Sequence, residues 1–538
     1  MVSNQRRSTP FLLSSSLILL ATTLPALEEV PVGPRALGMG GVGVACAEDT
    51  DAQFYNPATF GFFSYGTPER QDETLTGRFP RGEGADNNDL ARKNWGWRVV
   101  DLTAGARING DLATYVDQVL KVDADKIKNL GANPVQDAQT IKDLAKVAES
   151  ISTINPDVDS VSVDVNAGSA LRIGHFGIGG RLFTQATLKV GTLDKDHLGI
   201  SLPANTNLGS RINGISQPGF NPAVPYTPKV FTTTQRDQLA QNILISAQKI
   251  DAAFSLTNAT EAANRLDFAA SQAGIPAAAV AGVLDSLNKV AEQTLSSNTF
   301  TFGNNTTTVR ASAVAVGEIP ISYGYAFNDH FAVGGNAKLI VGRVYGTEVQ
   351  IFNTSTTDSV KDILTDSKEA YEQTITGALD LSIMGRMDFL QAGITGRNLN
   401  APKLKGPTVN GVKFDDVTLD PQVDIGVAVI PFYQWYAGFT LAADYQVLRS
   451  KTTLPGYDTQ RAGVGGELKL LSTLDLRAGI SKNLASADAA VMYHAGIGLN
   501  LWLARIDLAG SMANEKVIYD GDEYPKEARA SFALTSDW

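Results

Sequence analysis

Apolar residues recur at every second position in widely separated parts of the chain, and this constrains the fold more than any other feature. Val161, Val163 and Val165 alternate with Ser162, Asp164 and Asn166. Val423, Ile425, Val427 and Val429 alternate with Gln422, Asp424, Gly426 and Ala428. Phe439, Leu441, Ala443, Tyr445 and Val447 enclose Thr440, Ala442, Asp444 and Gln446, and Leu474, Leu476, Ala478 and Ile480 enclose Asp475, Arg477 and Gly479. Ile497, Leu499 and Leu501 give way to Ile506 and Leu508, as a hairpin near Trp502 to Ala504 requires. A period of two places one residue set on each face of a strand.

The same pattern predicts strands near 99–109, 158–174, 177–191, 306–326, 331–350, 373–384, 387–397, 421–432, 436–448, 459–470, 473–483, 488–501, 504–514 and 526–536. That is about fourteen, and an even number suits a bacterial membrane barrel with an apolar outside and a polar lumen. Short turns are expected near Asn328-Asp329, Gly385-Arg386 and Leu471-Ser472, with long connections between them. Short periplasmic turns and long external loops are the asymmetry of such barrels. The final stretch keeps the alternation through Phe532 and Leu534 and finishes on Trp538. A secreted β-sandwich also alternates, but it calls for shorter strands with a turn every 8–12 residues. The fold expected is an all-β membrane barrel of about fourteen antiparallel strands, with an N-terminal plug and two α-helical loop insertions.

Residues 1–26 read as an export signal: Arg6 and Arg7, an apolar stretch from Phe11 to Leu24, then Leu24-Pro25-Ala26 as the cleavage site. The residues after the Arg pair fit a twin-arginine signal poorly. Cys46 lies too far beyond the apolar stretch to anchor a lipoprotein, and Gly43-Val44-Ala45-Cys46 lacks the expected Leu. Further along, Gly38-Met39-Gly40-Gly41-Val42-Gly43 satisfies GxGxxG. A dinucleotide site needs a strand before this motif, a helix after it and an acid about 20 residues on. Pro31 and Pro34 precede it and Phe62-Phe63 stands where the acid belongs, so the glycines are read as close packing of irregular backbone.

The run from Gly33-Pro34-Arg35-Ala36-Leu37-Gly38 through Val44-Ala45 continues to Phe54-Tyr55-Asn56-Pro57-Ala58. Over about 35 residues this resembles the start of the mature outer-membrane fatty-acid transporters of the FadL superfamily. It is more similar still to the PorV-type barrels and to exported proteins filed as conjugal-transfer TraF-like. The resemblance implies a glycine-rich run leading into an Asn-Pro-Ala motif within a plug, or hatch, inside the barrel. Gly38, Gly40, Gly41, Gly43, Asn56, Pro57 and Ala58 are its hatch elements here, in a plug of residues 27–98 followed by a barrel of 99–538. The family usually ends in Phe, so Trp538 departs from it. Independently of the family, Asn-Pro initiates a turn and removes a backbone donor, which suits compact non-repetitive structure.

Two stretches, 110–157 and 204–305, break the strand pattern with helical spacing. In the first, Tyr115, Val116, Val119, Ile127 and Leu130 recur from Leu112 on, and Ile141 to Ile151 is similar. In the second, Leu239, Ile243, Ile250 and Phe254 follow Thr232, Asn258 is read as an N-cap, and Val280, Val283, Leu284, Leu287, Val290 and Ala291 form a stripe. Asp285 and Lys289 interrupt that stripe, so it is amphipathic and does not span a bilayer. The turn alternation assigns both insertions to the first two external loops, packed on one another as a cap.

The chemistry of the chain is sparse. Lys plus Arg (45) against Asp plus Glu (56) gives a net charge of −11, which disfavours nucleic acid as a partner. One Cys and four His without metal-ligand spacing argue against a metal centre or a cofactor. Asp520-Gly521-Asp522-Glu523 and Asp415-Asp416 read as solvated loops, and no nucleophile motif such as GxSxG is present, so an enzyme is not supported. Two functions remain. One, drawn from the resemblance, is a passive carrier of small hydrophobic ligands in the cell outer membrane, its lumen plugged by the N-terminal segment. The other is a non-transporting scaffold that binds envelope protein partners of a secretion or conjugation apparatus. Outer-membrane lipid is the surrounding partner in both.

Overall fold

The computed structural model describes residues 27, 30–64, 95–110, 112, 134–199, 207–296, 304–350, 371–387, 389–409, 411–433, 436–454, 456–486, 489–501, 504–519 and 522–537. The export signal, Trp538, Asp520-Gly521 and the positions from Tyr115 to Leu130 lie outside them. Fourteen antiparallel strands close into one barrel. They are β1 Trp95–Asn109, β2 Ser160–Ile173, β3 Phe176–Val190, β4 Thr308–Ala326, β5 Phe331–Gln350, β6 Tyr371–Met387, β7 Leu390–Arg397, β8 Gln422–Tyr433, β9 Ala437–Gln446, β10 Arg461–Leu470, β11 Leu474–Asn483, β12 Val491–Asn500, β13 Arg505–Ala513 and β14 Glu527–Asp537. Each pairs with its sequence neighbour, and β1 closes on β14 with Leu102 opposite Phe532.

Period-two alternation is the cause of this closure. Val163, Val165, Ile425, Val427, Leu441, Leu476 and Ile480 are exposed on the outside, while Ser162, Asp164, Asn166, Asp424, Thr440, Asp475 and Arg477 are buried on the inside. The ends that carry the short turns expose Trp95, Trp97, Phe176, Tyr323, Tyr325, Phe327, Phe389 and Tyr436, an aromatic belt of the kind found at a membrane interface. Leu471 and Ser472 turn the β10–β11 hairpin with φ of 52° and 51°, the positive values that a tight two-residue turn requires.

Three local expectations are corrected. The β6–β7 turn lies at 388–389, and Gly385-Arg386 is ladder, pairing with Ala392 and Gln391. Arg386 points inward with its guanidinium 3.8 Å from the centroid of the Phe62 ring, so a charge that looked like a turn signal is a lumen contact. The first strand begins at Trp95, ahead of 99. Asn258 is not an N-cap: Ser255 holds that place and its side chain accepts from the Asn258 N–H.

Among the described residues two short helices, α1 Pro34–Gly38 and α2 Ala52–Tyr55, precede the barrel, and five more lie in the two insertions: α3 Pro134–Thr153, α4 Leu208–Gly214, α5 Thr233–Ala247, α6 Leu256–Ala273 and α7 Val280–Ser296. Thr232 and Gln235 form a capping box at α5. Leu239 and Ile243 bury one face of α5, whereas Ile250 and Phe254 lie past its end and still reach the same core. That core takes Ala148 from α3 together with α5, α6 and α7, so both insertions build a single helical body at the long-loop end.

Asp267 of α6 ties this body to the chain entering α5. Its fully buried carboxylate accepts from Tyr226 Oη at 2.6 Å and from the N–H groups of Lys229, Val230 and Phe231 at 2.7, 3.0 and 2.6 Å. Burial and this carboxylate together raise the Tyr226 phenol. Asp267→Ala is expected to cost the helical body about 3 kcal/mol, since four donors lose a charged acceptor. Limited proteolysis should then cut within 208–296 while the heat-modifiable gel migration of the barrel stays unchanged.

Candidate functional site: the barrel lumen

The N-terminal segment lies inside the barrel, and its sequence explains how it fits. Pro34 opens α1, where its missing donor costs nothing. Gly40 and Gly41 follow with φ of 81° and 84°, a backbone that L side chains rarely adopt. The Gly41 N–H bonds back to Ala36 O at 2.7 Å. Among the described residues no strand precedes Gly38–Gly43, and the helix that follows is the four-residue α2. Asn56 ends α2 and is fully buried. Its Nδ2 donates to Val44 O at 2.9 Å and to Ile383 O of β6 at 3.2 Å, and its Oδ1 accepts from the Ala58 N–H. The Ala58 N–H also donates to Ser382 Oγ at 2.9 Å. Pro57 begins a 3-10 turn running to Ser64, wedged against Gly324 of β4 and Gly334 of β5.

The wall is shaped to receive this backbone. Inward glycines at 324, 334, 393, 426, 463, 465, 479 and 496 each face the segment, and a Cβ on any of them would meet it. At Gly465 it would overlap the Met39 carbonyl, and at Gly463 the Gly40 carbonyl. Within the segment, a Cβ on Gly43 would strike the Tyr55 ring, and one on Gly38 would lie 3.1 Å from Gly496 Cα. All seven residues expected in the hatch therefore sit in the lumen: Gly43, Asn56 and Ala58 bond to the wall, Gly38, Gly40 and Pro57 touch it, and Gly41 shapes the segment.

Charge fixes the segment in register. Arg35 Nε donates to Glu467 Oε2 at 2.9 Å and its Nη2 to Oε1 at 3.1 Å, a bidentate pair in which both side chains are buried. Arg477 Nε reaches the same Glu467 oxygen at 2.7 Å and continues to Asp507 and Asp475. Lys469 binds Glu48 at 2.8 Å, Arg172 binds Asp49 at 2.6 Å, and Arg98 pairs with Asp51. The Asp444 carboxylate accepts the N–H groups of Gly43 and Val44 at 2.6 and 2.9 Å. These wall residues were not singled out from the sequence. Their signal was present as charge at inward positions of β1, β2, β9 to β11 and β13, and as glycine on β4, β5, β7, β8 and β10 to β12.

Beside the segment lies a cavity of about 120 Å³, bordered on one side by charged residues such as Arg107, Arg397 and Asp424 and on the other by Val30, Leu37 and Met492, with room for water. Among the described residues no cluster of three or more His, Cys, Asp or Glu side chains is placed to hold a metal ion. Burial pushes the Cys46 thiol up to about 12, outweighing the Arg35 guanidinium beside it, which favours the thiolate. At pH 8 only about one thiol in ten thousand is then ionised. Native protein should therefore resist iodoacetamide at Cys46 and be alkylated fully after denaturation, as read by intact mass.

Residues 233–446, from α5 to β9, match the family model described as "F plasmid transfer operon, TraF, protein". Comparison with the curated proteins gives no match. Among solved structures, the toluene transporter TbuX of Ralstonia pickettii is 12% identical with a TM-score of 0.40, covering 96% of this chain and 99% of that one. The Pseudomonas putida toluene transporter TodX is 11% identical with a TM-score of 0.39, covering 96% and 99%. A Pseudomonas aeruginosa FadL homologue is 11% identical with a TM-score of 0.38, covering 95% and 99%. The chain is similar to FadL-like barrels.

Proposed function

We propose that this chain is an outer-membrane β-barrel that carries small hydrophobic molecules passively, without catalysis, and that its N-terminal segment is a plug whose displacement opens the lumen. One observation carries the reading: residues 33–63 lie inside the barrel on a bed of inward glycines, with Arg35, Asn56 and Ala58 bonded to the wall. A segment held by discrete ion pairs and hydrogen bonds, outside the strand ladder, moves without opening the sheet. Gly38, Gly40, Gly41, Gly43, Asn56, Pro57 and Ala58 act as hatch elements. Uptake of a panel of hydrophobic compounds by cells with and without the protein tests this. Faster uptake of at least one compound is expected, and equal uptake of all of them removes the carrier.

A second reading, a scaffold for a secretion or conjugation apparatus, is favoured by the helical body that the two external insertions build together. Crosslinked envelopes should then return a protein partner in a pull-down, and its absence counts against the scaffold.

A further inference from the structure

The inner wall is not polar all round. On β3 to β5 the inward side chains of Phe183, Val314, Val316, Ile340 and Val344 form an apolar patch, joined by Ala378 of β6, and all are buried. What buries them is the connection from β7 to β8, residues 398–421, which dips into the barrel. Its rung of Lys403–Leu404 paired with Val417–Thr418 sets Leu404 and Val417 on the wall, with Leu419 beside them. A Cβ on Gly342 of β5 would collide with Leu404, and one on Gly346 with Phe414. The rung is held to the N-terminal segment by the Leu27 N–H donating to Thr418 O at 3.3 Å, and to β6 by the Lys405 N–H donating to Thr374 Oγ1 at 3.0 Å.

Space opens on both sides of this rung along the same wall. Toward the mouth is a cavity of about 250 Å³ with two kinds of lining: Val314, Val344, Phe414, Val417 and Leu454 on the side of the rung, and Lys189, Arg310, Asp415, Lys451 and Asp458 around the rest. On the other side is one of about 30 Å³ bordered by Leu27, Phe183, Val316 and Leu419 and by the charged Arg181, Glu318 and Asp420. The apolar wall thus forms a track between two cavities, interrupted by a strap of the chain's own apolar side chains. By volume the outer chamber is larger than the roughly 150 Å³ in which benzene is held, and its apolar side is the one that meets the strap.

We infer that this wall is the binding track for an uncharged apolar solute, and that residues 398–421 are a strap which the solute displaces. The inference rests on the carrier reading and names the site within it. A charged solute is excluded at the rung, because Leu404, Val417, Val316 and Ile340 offer no partner for a charge. An apolar solute replaces the strap's contacts with its own, and only such differential contact can shift the strap.

The test is the maleimide labelling rate of Leu404→Cys, and separately of Val417→Cys, in detergent-purified full-length barrel that shows normal heat-modifiable migration. Benzene is the probe and sucrose the polar control. Benzene is expected to speed labelling at both positions about tenfold or more by populating the open strap, with sucrose without effect. Unchanged rates at both positions in benzene overturn the inference. Accelerated labelling in a protein whose cells take up no hydrophobic compound would remove the carrier reading and leave the site standing. Unchanged labelling with uptake intact removes the site alone.

Discussion

Gly465→Val is expected to expel the N-terminal segment from the lumen. A side chain there would occupy the place of the Met39 carbonyl, and neighbouring Gly479 already closes on the Met39–Gly40 backbone from β11. Backbone cannot rotate away as a side chain can, so the overlap is expected to cost at least about 3 kcal/mol, the upper range for overpacked sites. The control lies one residue along. Gly466 points outward, and a Cβ there meets Thr440 O at 3.5 Å, an ordinary contact. Under the plug reading, Gly465→Val opens a steady conductance in planar bilayers while Gly466→Val stays closed. Equal conductance in the two would mean that the segment does not seal the lumen.

Glu467→Gln is expected to release the same segment by a different route. The carboxylate is fully buried between two guanidinium groups, with Arg35 at 2.9 Å and Arg477 at 2.7 Å. Removing one partner of a buried pair typically costs about 3–5 kcal/mol, because the remaining charges are left without compensation in a dry site. Arg477 keeps Asp507 and Asp475, whereas Arg35 keeps Glu48 at 3.4 Å and the Cys46 carbonyl, so the loss falls mainly on Arg35. Arg35→Met combined with Glu467→Gln should recover much of the stability, since no buried cation is then stranded. Urea midpoints of heat-modifiable migration measure both variants, and a double variant no more stable than Glu467→Gln alone refutes the account.

Much of the fold was legible along the chain because a membrane wall has one simple rule. Each strand turns one face to lipid, so Val163, Ile425, Leu441 and Leu476 mark their strands without help from distant residues. The misplaced β6–β7 turn shows where the rule fails. A charge reads as a loop signal unless its partner is known, and Phe62, the partner of Arg386, lies far away in sequence. Asn56, Pro57, Ala58 and the glycines of residues 38–43 were singled out through motif and resemblance, but their partners and neighbours on the wall, Glu467, Asp444, Ser382 and the inward glycines, were not. A glycine in a strand looks the same whether it faces lipid or another backbone.

What the amino-acid order alone determined is the alternation, hence the strand count, the greasy exterior and the helical character of the insertions, all of which are local periodicities. Only the closed barrel decided which inward residues face which part of the N-terminal segment, that both insertions share one core, and that residues 398–421 cover an apolar stretch of wall. Those outcomes depend on contacts between positions hundreds of residues apart, such as Arg35 with Glu467. Burial makes such contacts strong, and closure of the sheet is what brings them within reach.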